Sequence, residues 1–247
     1  MRLRIFSCDV FSREIAALID ESPHEIFVQF FSKGLHEIGC ALMRQRLQEA
    51  IDSADPARFD AVGLAYGLCG FGVAGLVARE IPLVLPRAHD CISVLLGGRA
   101  RHEEYSAKNP GTYFRSRGWL ERRTNAAHLK ALSFAERNSI NKSREEIISD
   151  YGTEAGEYLA DVLCEHTRYY NQLAFILTGL ESDAQFERVS QAEALRRGWN
   201  FERLHGELGF LRRLLSGEWN AEEFLVVPPR HQICPTYDQR LVTAEPV

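Results

Sequence analysis

The sequence has no long hydrophobic run: its apolar stretches, such as Ile81 to Pro86, fall far short of the roughly 20 residues that a membrane-spanning helix needs. Nor does the opening stretch Met1-Arg-Leu-Arg-Ile-Phe-Ser carry the apolar core of a secretory signal. An excess of positive charge is missing as well. With 29 Lys and Arg against 34 Asp and Glu the formal charge is -5, so no basic field exists to hold nucleic acid or an anionic membrane surface. Cysteine is sparse, six in 247 residues, too thinly spread for a disulfide scaffold. These absences predict a cytoplasmic protein without nucleic-acid or membrane partners. Also lacking are a Gly-x-Ser-x-Gly nucleophile elbow, a phosphate loop closing on Gly-Lys-Ser or Gly-Lys-Thr, and a His-Glu-x-x-His zinc motif. Their absence removes the commonest hydrolase, nucleoside-triphosphatase and metalloprotease readings.

What is present is the composition of a packed globular chain, 45% hydrophobic, 26% charged and 10% aromatic. Short apolar runs recur with helical patterns between them, at Arg2 to Ser7, Glu25 to Phe31, Ala61 to Tyr66, Pro82 to Leu85, Gly111 to Phe114, Leu173 to Thr178 and Phe224 to Val227. That rhythm predicts an α/β fold, a mostly parallel sheet of about seven strands flanked by helices. Ile38, Ala41, Leu42, Leu47, Ala50 and Ile51 are spaced as the buried face of a helix over His36 to Ser53. Asp90 is placed as the N-cap of a helix that starts at Cys91, and Ser190 to Arg197 and Gly206 to Leu215 read as amphipathic helices. Residues 125–170 break the rhythm with continuous helical character. They are expected to form a helical insertion or lid within a single domain spanning 1–247.

Two constellations carry candidate chemistry. The first, Tyr66-Gly-Leu-Cys-Gly-Phe-Gly-Val-Ala-Gly75, reads as a strand, a glycine-rich turn and a helix. Gly70, Gly72 and Gly75 spell Gly-x-Gly-x-x-Gly, and Gly67, Gly70 and Gly72 are the candidate cofactor contacts, because such a turn lets backbone approach a pyrophosphate at a helix N-terminus. The acidic residue that a dinucleotide fold wants about 20 positions on has only Asp90 to fill it. The second constellation, Leu83-Val-Leu-Pro-Arg-Ala-His-Asp-Cys91, runs from a buried strand into a polar loop. Ligands gather beyond the carboxyl ends of parallel strands, so Cys8, Cys69, His89 and Cys91 should face one crevice, with His36 a further imidazole at a strand exit.

Thiolates and imidazole are the donors that zinc or an iron centre prefers. The alternative is that each cysteine is a small tolerated residue at a loop end; Cys40 and Cys164, inside helical patterns, read as core. Arg87 is the candidate anchor for an anionic substrate, and Asp90 the candidate catalytic carboxylate beside it. Pro110 to Trp119 adds Arg115 or Arg117 for a carboxylate or phosphate, with Tyr113 and Trp119 available for stacking or for core packing. Two functions follow. One is a zinc or iron enzyme of group transfer acting on a small anionic or thiol-containing molecule. The other is a nucleotide-binding or small-molecule-binding regulatory module built on the glycine-rich turn.

Tyr66-Gly-Leu-Cys-Gly70, Pro86-Arg-Ala-His-Asp-Cys-Ile92, Pro110-Gly-Thr-Tyr113, Gly118-Trp119 and Gly198-Trp199 with Gly206 resemble the domain-of-unknown-function family numbered 1638 over most of the chain. The family name brings no reaction. Its members look like genomic neighbours of corrinoid-dependent methyl-transfer systems, so the resemblance implies one-carbon or methyl transfer with a corrinoid protein as partner. The His89-x-Cys91 pair is also similar to the zinc sites of thiol methyltransferases.

Overall fold

The computed structural model describes residues 1–36, 38–121, 147–149, 152–164, 169–180 and 183–247. Within them the fold is α/β. All seven expected strands form, but they divide between two sheets; of three further strands, one joins the second sheet and two form a separate hairpin. The larger sheet contains β1 (Arg2–Cys8), β2 (Glu25–Phe31), β3 (Ala61–Ala65), β4 (Leu83–Pro86) and β8 (Phe224–Val227), in the order β2-β1-β3-β4-β8. Its first four strands are parallel and β8 runs antiparallel to β4. Every residue of β3 and β4 is buried, as a parallel strand covered on both faces must be.

The second sheet, β5 (Thr112–Ser116), β6 (Gln172–Leu177) and β7 (Asn200–His205), is wholly parallel in the order β5-β6-β7. It has a small core of its own around Leu173, Phe175 and Ala194. A βαβ unit needs a long crossover, so β5 to β7 with their intervening helix bury this core as a separate layer instead of extending the first sheet. The two sheets are tied where Glu207 N–H donates to the Leu95 carbonyl at 2.7 Å. A second tie is Gly118, whose Cα lies so close to the Val10 carbonyl that a side chain would collide with it.

The helices are α1 (Ser12–Leu18), α2 (Cys40–Asp52), α3 (Cys91–Leu95), α4 (Arg99–Lys108), α5 (Arg117–Leu120), α6 (Thr153–Cys164), α7 (Ala184–Arg197) and α8 (Gly209–Ser216). Helix α2 buries Met43, Leu47, Ala50 and Ile51 but starts at Cys40, because His36 closes a separate 3-10 turn, Lys33–His36. Cys40 is exposed, against the expectation of a core residue, and its thiol donates to the Gly70 carbonyl at 2.9 Å. Asp90 caps α3 as expected, accepting from Ser93 N–H at 2.9 Å. Of the expected helical stretch 125–170, α6 is present. Residues 125–146, 150–151 and 165–168 lie outside the described residues.

The helix expected after the glycine-rich turn does not form. Residues 75–78 instead pair with a C-terminal hairpin of β9 (His231–Pro235) and β10 (Val242–Pro246). Gly75 N–H donates to Ile233 C=O at 2.7 Å, Ile233 N–H to Leu76 C=O at 2.9 Å and Ala78 N–H to His231 C=O at 2.9 Å. A backbone committed to those partners cannot also make the bonds of a helix. The Gly-x-Gly-x-x-Gly run therefore lacks the helix N-terminus that a pyrophosphate would need. Its glycines have structural work: a Cβ on Gly67 would stand 2.6 Å from the Asp90 backbone, one on Gly72 would stand 2.5 Å from Met43 Sδ, and Gly70 holds φ +62°.

Arg87, expected to anchor a substrate, is a clamp on main-chain carbonyls. Its Nε donates to Ala221 O at 2.9 Å and Phe224 O at 3.2 Å, and its Nη1 to Arg240 O at 2.7 Å and also to Val242 O. It ties the end of β4 to β8 and to β10. Arg87→Ala should cost about 2–4 kcal/mol of stability in urea denaturation, because it orphans several carbonyls at once. Gly67→Ala should destabilise by about 1–3 kcal/mol through its collision with the Asp90 main chain, measured the same way.

Candidate functional site

Backbone pairing assembles the site. In register, Ser7 of β1 faces Ala65 of β3, so the carboxyl ends of these neighbouring strands lie side by side. The loops that leave β3 and β4 are bonded to one another, with Leu68 N–H donating to Ala88 C=O and Cys69 N–H to His89 C=O, both at 2.8 Å. This sets Cys69 alongside His89, two residues before Cys91, while Cys8 ends β1. Cys69, Gly70 and Phe71 all adopt positive φ, 48°, 62° and 70°. For non-glycine residues that left-handed conformation costs about 1–2 kcal/mol each, so Cys69 is held where it is by its surroundings.

Cys8 and Cys91 are buried, and each thiol of the set shows an elevated pKa. Burial is the main cause for all three. For Cys8 and Cys69 the neighbouring thiols add to it: Cys91 raises Cys8, and both Cys91 and Cys8 raise Cys69. Cys91 is pushed up to about 12, even though the Trp119 indole N–H, donating to its sulfur at 3.1 Å, favours the thiolate. His36 Nε2 lies 3.7 Å from Cys8 Sγ, and burial holds its pKa below the ordinary imidazole value while Asp9 pulls the other way. The His36 ring is 6.1 Å from Tyr66 and 6.3 Å from Trp119, centre to centre. The Tyr66 hydroxyl is buried and has no hydrogen-bond partner among the described residues. An orphaned buried hydroxyl costs about 1–3 kcal/mol, so its survival beside these thiols asks for a reason.

Part-buried contacts of Asp9 and Lys33 hold the imidazole and the indole in place. Asp9 Oδ1 accepts from Lys33 N–H at 2.8 Å and so steadies the turn that ends in His36. Lys33 Nζ donates to the carbonyls of Gly118, Trp119 and Glu121 at 2.8, 2.6 and 2.7 Å, holding α5 and with it Trp119 over the thiols. Lys33 and Tyr66 were not singled out from the sequence. Lys33 meets carbonyls more than 80 residues away, and no local pattern marks a hydroxyl that will lack a partner.

Of the expected metal ligands the structure thus gathers Cys8, His36, Cys69 and Cys91, and not His89. His89 is half-exposed, with Nε2 3.7 Å from Glu103 Oε1 on α4. As they stand, no three His, Cys, Asp or Glu side chains among the described residues form a metal-holding group. Asp90 borders the site, but its Oδ1 accepts from Ser93 N–H and from Ser93 Oγ at 3.0 Å, which makes it a cap where a catalytic carboxylate was expected. Beyond Cys91 opens a cavity of about 460 Å³ between α3, β5 and α5.

The fold and site together define an α/β protein with three thiols, two of them buried, gathered at the carboxyl edge of a parallel sheet. Residues 30–215 match the family model described as "Protein of unknown function (DUF1638)", and the chain belongs to that family. Neither curated proteins nor solved structures give a match to the chain. No helix among the described residues is long and apolar enough to cross a membrane.

The thiols make stability pH-dependent. Cys91 titrates at about 12 in the fold against 9.0 for an ordinary thiol. From pH 9 upward the unfolded chain therefore loses a proton that the fold keeps, and stability falls as pH rises, by about 1.4 kcal/mol per unit for one thiol. Urea midpoints should drop between about pH 8 and about pH 10 in metal-free protein, and should drop less in Cys91→Ala.

Proposed function

We propose that this protein binds a thiophilic metal, zinc or an iron centre, through Cys8, Cys69 and Cys91 with His36, and uses it in group transfer to or from sulfur. The observation that carries this reading is the convergence of three thiols, two of them buried, and one imidazole near the Tyr66 hydroxyl, which has no hydrogen-bond partner among the described residues. Protonated thiols packed together in this way resist ionisation singly, but a soft cation reverses the sign of every one of those interactions and takes the thiolates as ligands. Closing four donors around one ion requires rotation of their side chains, which is common when binding and local ordering are coupled. A metal so held has the charge to stabilise a bound thiolate or an oxyanion. The resemblance to the family favours a one-carbon or methyl group as the cargo and a corrinoid protein as the donor or acceptor. The five cysteines described are all free, which supports a reducing, cytoplasmic setting.

Elemental analysis of protein purified without an affinity tag tests the reading. About one equivalent of zinc or iron is expected, falling in Cys69→Ser and Cys91→Ser and unchanged in Cys234→Ser, whose thiol lies in the C-terminal hairpin. Substoichiometric metal in well-folded protein overturns it. Cys69→Gly separates ligand from scaffold. Glycine suits the φ of 48°, so this variant should be as stable as the parent or more so by about 1 kcal/mol, and still lose metal.

A further inference from the structure

The cavity of about 460 Å³ beyond Cys91 has walls of uneven chemistry. Most of its lining is apolar or aromatic, with Tyr113, Trp119 and Tyr170 among its residues. The rings are fixed by one another: Tyr113 and Tyr170 meet edge to face at 5.2 Å, and Trp119 is held by its bond to Cys91 Sγ. Strand β5 lies at the edge of its sheet, so residues from both of its faces, Thr112 to Arg115, border the same space.

Among the described residues the charges in the lining are Arg115 and Asp90, and their partners differ. Asp90 is engaged with Ser93. Arg115 has no carboxylate within ion-pairing distance among the described residues, and its guanidinium rests on the Tyr113 ring at 5.3 Å. Its neighbour in sequence shows the contrast: Arg117 Nε is bonded to Glu121 at 2.8 Å and its Nη1 to Asp183 at 3.4 Å. A guanidinium stacked on a ring keeps its in-plane donors for a planar, two-oxygen partner.

We infer that this cavity binds a small organic anion with a flat apolar body, its carboxylate or phosphate on Arg115 and its body among Tyr113, Trp119 and Tyr170, with the far end directed at Cys91. The binding event requires the cavity alone. That the ligand is the substrate of the thiol centre rests on the metal reading above. Cys91 joins the two, since it belongs to the thiol set and also lines the cavity.

The test uses chelator-treated, metal-free full-length protein, so that its outcome is separate from metal content. Benzoate, phenyl phosphate and benzyl alcohol are titrated while the Trp119 indole N–H signal, assigned with Trp119→Phe, is followed by nuclear magnetic resonance. Benzoate or phenyl phosphate should shift that signal saturably, and the one that does so more tightly identifies the anion; benzyl alcohol should bind at least tenfold more weakly. Arg115→Ala should weaken the anion at least tenfold and Arg115→Lys should restore part of the loss, with the other indole signals unmoved to show intact folding. Arg101→Ala, which removes a guanidinium bonded instead to Glu207 at 2.8 Å, should change nothing. Equal binding of all three probes, binding indifferent to Arg115→Ala, or no binding by any probe overturns the inference. A chain that binds benzoate but purifies without metal retains this cavity and loses the metal reading.

Discussion

The loops that leave β3 and β4 are bonded to one another past the ends of both strands, and the rest of the site depends on that contact. Two hydrogen bonds, from Leu68 to Ala88 and from Cys69 to His89, tie together what would otherwise be two independent loops. The approach is possible only because Gly67 has no side chain to meet the Asp90 backbone. Once it is made, Cys69 is fixed in a left-handed conformation beside the start of α3. Cys91 then turns inward under the Trp119 indole. Loosening this contact would separate Cys69 from Cys91 and from the cavity that Cys91 lines.

Around that contact the structure invests in fixing side chains that do not themselves carry the chemistry. Arg87 closes the β4 end against β8 and the C-terminal hairpin, and the hairpin in turn pairs with residues 75–78 at the end of the glycine-rich run. Lys33 ties α5 to the turn that bears His36. The result is a set of thiols that burial keeps protonated in the absence of a partner cation. Buried, protonated thiols are poor nucleophiles.

The sequence was most legible where chemistry is local. Each of the seven expected strands is present, and Asp90 caps α3, because alternation, apolar runs and capping act over a few residues. The gathering of Cys8, Cys69 and Cys91 at one sheet edge was also legible, since parallel strands bring their carboxyl ends to the same side. His89 and Arg87 were misread for one shared reason. A side chain in a loop can turn toward either of two neighbours, and only the positions of Glu103 and of the carbonyls at residues 221, 224, 240 and 242 decide which. The glycine pattern failed differently: its spacing is compatible with a phosphate turn, but pairing with β9 claimed the backbone first.

The sequence by itself determined the α/β character, the strand segments, the edge at which the thiols collect and the family to which the chain belongs. It could do so because those properties follow from the short-range periodicity of apolar residues and from motifs that are contiguous. Only the tertiary structure decided that the strands divide among three sheets and that, among the described residues, Arg115 and not Arg87 or Arg117 is left without a carboxylate or carbonyl partner and Tyr66 hides a hydroxyl without one. Those outcomes depend on groups that are distant in the chain competing for the same hydrogen bonds and the same buried volume. That competition is settled by packing, and no window of sequence contains both competitors.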